Sequence, residues 1–241
     1  MTTVHVGLPH LRGALSKYAS RFDLLEVRPV DTPLPKPSKL RAWRREVPPS
    51  FVFSVLLPGS VAALRGGAAA DADLARSLEV AAALEARCIV LQTPTEVSPA
   101  EIWRRRLAET LAKLPRDVVH VGWEPRGVWE PTEAADLAKR LGIGVVLDAA
   151  TQPLGRGSVV YTRIRGIGTS MRLSPTATER ARRAFAGRRE VFAVIECDAP
   201  ARTAALLRAP LPTGAAVVRP GAGSVVRPTA MLSAEDEEQE E

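Results

Sequence analysis

The chain has 241 residues, 46% of them hydrophobic, and a formal net charge of +6 at neutral pH. That is ample for one large core, and a single domain of this size is common among α/β barrels. No run of 18 or more apolar residues occurs, which argues against a membrane-spanning helix, and MTTVHVGLPH lacks a basic region followed by an apolar one, so no signal peptide is expected.

Short apolar runs recur along the chain. They read VHVG (4–7), LLEV (24–27), FVFSVLL (51–57), CIVLQ (88–92), VVHVGWE (118–124), GVVLD (144–148), VVYTRI (159–164) and VFAVIEC (191–197). Each is rich in Val and Ile and mostly continuous rather than alternating, as strands covered on both faces are. Helical patterns fall between them. LRGALSKYASRF (11–22) puts Leu11, Leu15, Tyr18 and Phe22 on one face, and SKLRAWRREV (38–47) offers Ser38 as an N-cap. DADLARSLEVAAALEA (71–86) is rich in Ala and Leu. SPAEIWRRRLAETLAKL (98–114) opens on Ser98 and Pro99 with Glu101 behind them, an N-terminal signature. PTEAADLAKRLG (131–142) stops at Gly142, a natural C-cap, and SPTATERARRAFAG (174–187) repeats the Ser-Pro opening and the Gly stop. APARTAALLRA (199–209) closes the series, and only the stretch from Asp148 to Val159 is too short and Gly-rich for a helix.

Eight strands alternating with about seven helices predict an α/β fold, a single-domain (β/α)₈ TIM-type barrel over residues 1–209. An open doubly wound sheet is the alternative. No GxGxxG or GxxxxGK[ST] follows any strand, so no nucleotide-cofactor motif supports it. Residues 210–232 form a Pro/Gly-rich extension expected to pack on the barrel, and 233–241, SAEDEEQEE, an acidic tail expected to be disordered. That tail holds six of the 27 acids, so the rest of the chain sets 33 bases, 28 of them arginine, against 21 acids. A basic body of this kind suits a small anionic ligand, an acidic protein or nucleic acid, although the arginines form no dense block. Cys88 and Cys197 sit in apolar runs and read as two reduced core thiols of a cytoplasmic protein.

In such barrels the site lies at the C-terminal mouth, where strands end. Those ends carry Glu26 with Arg28, Gln92, Glu124 with Arg126, Asp148, Arg163 with Arg165, and Glu196 with Asp198. Clustered carboxylates repel, so they must bind a cation, pair with arginine or take up a proton. In one reading Glu26, Glu124 and Asp148 have catalytic roles or are hard oxygen ligands for Mg²⁺ or Mn²⁺, with arginines clamping an anion. In the other they form Glu–Arg pairs that tie neighbouring strands together. Three dispersed histidines make no zinc signature, and His10, just past the first strand, is the one placed for acid/base work. Trp43 and Trp103 read as packing residues, Trp123 faces the helical layer, and Trp129 either lines a pocket or stacks on a ligand ring.

The stretch YASRFDLLEVRPVDTPLPKPSKLRAWRREVPPSFVFSVLLP (18–58) resembles the start of the YecE-like proteins, domain-of-unknown-function family seventy-two. Tyr18, Phe22, Glu26, Leu34, Pro35, Pro37, Trp43, Phe51, Phe53, Val55 and Pro58 match that family's pattern without a gap. LQTP (91–94), WEPRGVW (123–129) and YTRIRG (161–166) are similar to its later motifs, so the likeness covers about residues 4–200. It implies a TIM-type barrel and no established reaction. The chain departs from the pattern at the mouth, with Gly7-Leu8-Pro9-His10-Leu11 in place of Gly-Thr-Ser-Gly-Trp. Leu56 stands for a Lys and Arg165 for a His, while Glu26, Gln92, Glu124, Arg126, Asp148 and Arg163 remain. The reading is a divergent member binding a small anionic, phosphorylated or sugar-like ligand. Any chemistry would be hydrolytic or lyase-type, with Glu124 or Glu26 as base and Arg126 and Arg163 as anion clamps. The alternatives are a non-catalytic scaffold with a basic docking surface and a metal-dependent phosphodiester hydrolase.

Overall fold

The computed structural model describes residues 2–29, 35–168 and 171–209. Eight parallel strands form a nearly closed barrel wrapped by helices. In chain order these are β1 (Thr3–Leu8), α1 (Leu15–Ala19), β2 (Leu24–Val27), α2 (Pro37–Glu46), β3 (Val52–Leu56), α3 (Gly59–Ala62), α4 (Ala68–Ala83) and β4 (Cys88–Thr93). There follow α5 (Glu101–Ala112), β5 (His120–Pro125), α6 (Pro131–Arg140), β6 (Gly144–Val145), β7 (Val159–Arg165), α7 (Pro175–Phe185), β8 (Glu190–Glu196) and α8 (Pro200–Arg208). The sheet runs β6-β5-β4-β3-β2-β1-β8-β7, and a parallel bridge between Leu147 and Thr162 brings its two ends together. All eight expected strands are present, and the stretch after Asp148 carries no helix. Among the described residues no helix is long and apolar enough to cross a membrane.

The strand sequences look continuous because both faces are buried, yet they alternate in three dimensions. Leu24, Val52, Leu56, Cys88, Val90, Tyr161, Phe192 and Val194 form one core cluster inside the barrel. Leu25, Phe53, Ile89, Leu91, Val121, Trp123 and Val191 belong to a second cluster with the helices. Period-two counting from the inner set puts Glu26, Gln92, Glu124, Arg163, Arg165 and Glu196 on the inward face at the strands' C-terminal ends.

The helix ends show where local chemistry prevails. Ser174 caps α7 as expected, its Oγ accepting from the Ala177 N–H at 3.1 Å, with Pro175 at the first position. Gly142 (φ 68°) takes the left-handed position after α6, with Ile143 N–H bonding back to Ala138 O at 3.0 Å. Three expectations are corrected. Ser38 caps nothing, because Pro37 already occupies the first turn and Lys36 is the N-cap. Ser98 and Pro99 precede α5, which starts at Glu101 after Ala100, while the Pro99 carbonyl accepts from Arg104 Nε at 2.7 Å. The first helix is confined to Leu15–Ala19, since Gly13 (φ 77°) turns the chain before it. The short α3 was not anticipated. Residues 210–232 and 233–241 lie outside the described residues, so their expected packing and disorder do too.

Candidate functional site

Strands β2, β5, β7 and β8 each deliver one or two charged side chains to the mouth. Arg163 on β7 is the centre. Its Nη1 and Nη2 donate to Glu26 Oε1 and Oε2 at 3.1 and 2.6 Å, its Nε to Glu124 Oε2 at 3.0 Å, and Nη1 also to Glu196 Oε1 at 2.9 Å. This is the forked, charge-assisted geometry that guanidinium and carboxylate favour. Tyr161, two residues earlier on the same face, donates its phenol to Glu26 Oε2 at 2.9 Å and lies 3.0 Å from Ser54 Oγ. Above them Arg165 donates from Nε to Glu196 Oε2 at 3.2 Å and from Nη2 to Glu124 Oε1. Arg28 reaches Glu26 Oε1 at 3.2 Å and Glu196 Oε1 at 3.4 Å. Three glutamates and three arginines thus form one neutral lattice.

The lattice is layered by depth. Side-chain exposure is 0% for Arg163 and Glu26 and 6% for Glu124, against 25% for Glu196, 29% for Arg28 and 36% for Arg165. Burial alone would raise the Glu124 carboxyl, but Arg163 and Arg165 outweigh it and hold the group below its usual range. Burial would lower Arg163, yet Glu26 and Glu124 keep it firmly protonated. Burial pushes the Tyr161 phenol well up, reinforced by Glu26, so it stays a neutral donor.

Asp148 differs from the other mouth acids. It is buried, and its oxygens accept only backbone N–H groups, Ala150 on Oδ1 at 2.9 Å and Arg165 on Oδ2 at 3.1 Å. Among the described residues it has no guanidinium partner. Burial raises its pKa, and those two amides only partly offset that. Gln92, paired in register with Glu124, adds a small contribution that helps hold that carboxyl below its usual range. His10 sits exposed beside Arg12, whose Nε donates to its Nε2 at 3.1 Å, and burial together with Arg12 and Arg28 lowers its pKa.

Two residues singled out from the sequence stand outside this lattice. Trp129 packs edge-on against Trp123 at 4.9 Å with its N–H on Val97 O at 2.6 Å, so its ring belongs to the layer between barrel and helices. Arg126 is exposed and joins no ion pair of the lattice. Glu26 and Arg163 are brought to the centre and are sealed from solvent while Glu196 is seated. Glu196, visible in the sequence only as a strand-end acid, proves to bridge all three arginines. Its inward parity with Glu190, Phe192 and Val194 was the available signal.

The donor set does not fit a metal. Both oxygens of Glu26 and of Glu124 already face guanidinium groups, whose charge opposes a cation at the same place. Among the described residues no group of three His, Cys, Asp or Glu side chains is arranged to hold an ion. Cys88 and Cys197 are both free, the first buried and the second partly so.

A family model described as "Protein of unknown function DUF72" matches residues 5–211. The chain belongs to the DUF72 family. The structure resembles the crystal structure of a DUF72 family protein from Enterococcus faecalis V583, at 15% identity and TM-score 0.67, over 85% of this chain and 96% of that one. A DUF72 family protein from Thermotoga maritima is similar at 17% identity and TM-score 0.65, over 85% and 96%. A D-tagatose 3-epimerase-like protein follows at 16% identity and TM-score 0.56, over 84% and 94%. At these identities the likeness is one of fold. A search of curated proteins finds no match. DUF72 membership and the TIM-type barrel therefore stand together, as the motifs of residues 18–58, 91–94, 123–129 and 161–166 implied.

Proposed function

We propose that this DUF72 protein binds a small anionic ligand, phosphorylated or sugar-like, at the C-terminal mouth of the barrel. The supporting observation is the depth order of the charges. The sealed floor is Glu26, Arg163 and Glu124, and the lattice groups that reach solvent are Arg165, Arg28 and Glu196. A ligand descending into the mouth therefore meets two guanidinium groups against one carboxylate, and Arg126 on the loop after β5 adds an exposed cation. Asp148, held by two backbone amides and in no ion pair among the described residues, is the carboxyl suited to exchange a proton with a bound ligand. His10, exposed past the end of β1 and accepting from Arg12, is a second candidate proton carrier. The names of several fold neighbours speak of xylose isomerase and tagatose epimerase, which fits a hydroxyl-bearing ligand. Two free thiols fit a reducing, cytoplasmic setting.

The test is a thermal-shift survey of phosphorylated and carboxylated small molecules on the intact chain and on Arg165→Gln. A ligand at about a hundred times its Kd should stabilise the native protein by about 2.7 kcal/mol. In a barrel of this size that is roughly 5–10 °C. Arg165→Gln should remove most of the shift. Equal shifts in both proteins would place the anion elsewhere.

A second reading, a scaffold that docks an acidic protein or nucleic acid, draws on Val128, Ile167 and Met171, exposed apolar side chains on the loops after β5 and β7. It requires binding that weakens steeply with salt and ignores Arg165→Gln. Metal-dependent phosphodiester hydrolysis is disfavoured, because the acids it would recruit are bound to arginines.

A further inference from the structure

Glu196 ends β8 in an unusual position. Its Oε1 accepts from Arg163 Nη1 at 2.9 Å and Arg28 Nη2 at 3.4 Å, and its Oε2 from Arg165 Nε at 3.2 Å. One carboxylate thus occupies a cradle made by three guanidinium groups from two strand ends. Glu26 and Glu124 cannot leave the lattice without stranding a buried charge or donor. Glu196 can, because a quarter of its side chain already meets water.

We propose that Glu196 is a resident counter-anion, and that the mouth takes a phosphoryl oxyanion by exchanging it for this carboxylate. The inference rests on the anion-binding reading above. Charge fits the exchange. With Glu196 seated, the three arginines balance three glutamates. With Glu196 rotated into solvent the lattice carries one positive charge, which a singly charged phosphoryl group cancels. Donor count fits as well. Arg28 Nε is shielded from water and has no acceptor, so the two oxygens of a carboxylate leave a donor unsatisfied in the cradle. A tetrahedral oxyanion brings more oxygens than a carboxylate to the same donors. The tethered carboxylate then sets the affinity, because a ligand sees only the fraction of molecules in which the cradle is vacated.

The experiment is calorimetric titration of inorganic phosphate into the intact chain, Glu196→Gln and Glu196→Asp, at mildly acidic pH and low ionic strength. Removing the competing charge should tighten phosphate binding by at least about tenfold in Glu196→Gln, since a cradle open one time in ten masks that factor. Glu196→Asp keeps the charge on a shorter arm and should fall between, which keeps the test sound if the amide variant folds poorly. Arg165→Gln should weaken binding. If the intact chain binds phosphate and neither Glu196 variant binds it more tightly, the exchange is overturned while the mouth remains an anion site. If no protein in the set binds phosphate, the anion reading itself fails and the exchange with it.

Discussion

Replacing Arg163 with Met tests the lattice at its centre. The guanidinium is sealed from solvent and donates to Glu26 at 3.1 and 2.6 Å, to Glu124 at 3.0 Å and to Glu196 at 2.9 Å. Met fills similar volume but leaves Glu26 buried with Tyr161 and one bond to Arg28. Breaking a buried ion pair by removing one partner costs about 3–5 kcal/mol, mostly the desolvation of the charge left behind. For a domain of this size that is roughly 6–20 °C in Tm. The assay is urea unfolding at neutral pH, with Glu26→Gln and the double variant completing a cycle. Removing the stranded carboxylate should restore at least about 1 kcal/mol, so the two changes are strongly non-additive. The pH response should also change. Burial would raise Glu124, but Arg163 and Arg165 depress it in the native state. Its contribution is therefore present above the unfolded value of about 4.3 and lost as pH falls through the native one. Without Arg163 the buried Glu124 should favour its protonated form, and the variant should lose less stability on acidification than the parent does. Arg163→Met within about 0.5 kcal/mol of the parent, with no coupling to Glu26, would refute the account of the lattice.

Other expectations follow from single contacts. Trp129→Ala should cost about 3–5 kcal/mol by denaturant unfolding, because it empties the space against Trp123 and frees the Val97 carbonyl. A loss of ligand binding with stability intact would instead return Trp129 to the mouth. Gly7→Ala should destabilise by more than about 2 kcal/mol, since a Cβ there would lie 1.8 Å from the Leu24 carbonyl oxygen and strands β1 and β2 must separate. An unchanged Tm would contradict that approach of strands. His120 is partly buried with Nε2 shielded and unpartnered, and that burial, only partly opposed by Glu190, lowers its pKa. A neutral buried histidine lets stability fall as pH drops below its unfolded value of about 6.5, so His120→Gln should flatten that part of the stability profile. Parallel profiles for the two proteins would remove His120 from the acid response.

The barrel was legible because burial on both strand faces leaves uninterrupted Val/Ile runs, and all eight mark true strands. The helix starts were less so. Pro37 and Pro99 each compete with a nearby serine for control of the chain, and only at Ser174-Pro175 do serine and proline act together as cap and first residue. At the mouth, strand-end position found Glu26, Gln92, Glu124, Asp148, Arg163 and Arg165. It could not show depth. Arg163 and Arg165 are two residues apart on the same strand face, yet one is sealed and the other solvent-facing, because acids from three other strands close over the first. Nor does spacing connect Glu196 with Arg28, 168 residues away. Trp129 shows the converse, since its nearness to a strand end is no guide once the loop after β5 folds it outward onto Trp123.

The most direct test of the anion site is to follow the arginine Nε–H resonances of the intact chain by NMR while inorganic phosphate is added. The account predicts saturable shifts confined to Arg28, Arg165 and their lattice neighbours, and absent in Arg165→Gln. Shifts spread evenly over the surface arginines, or none at the mouth, would contradict it.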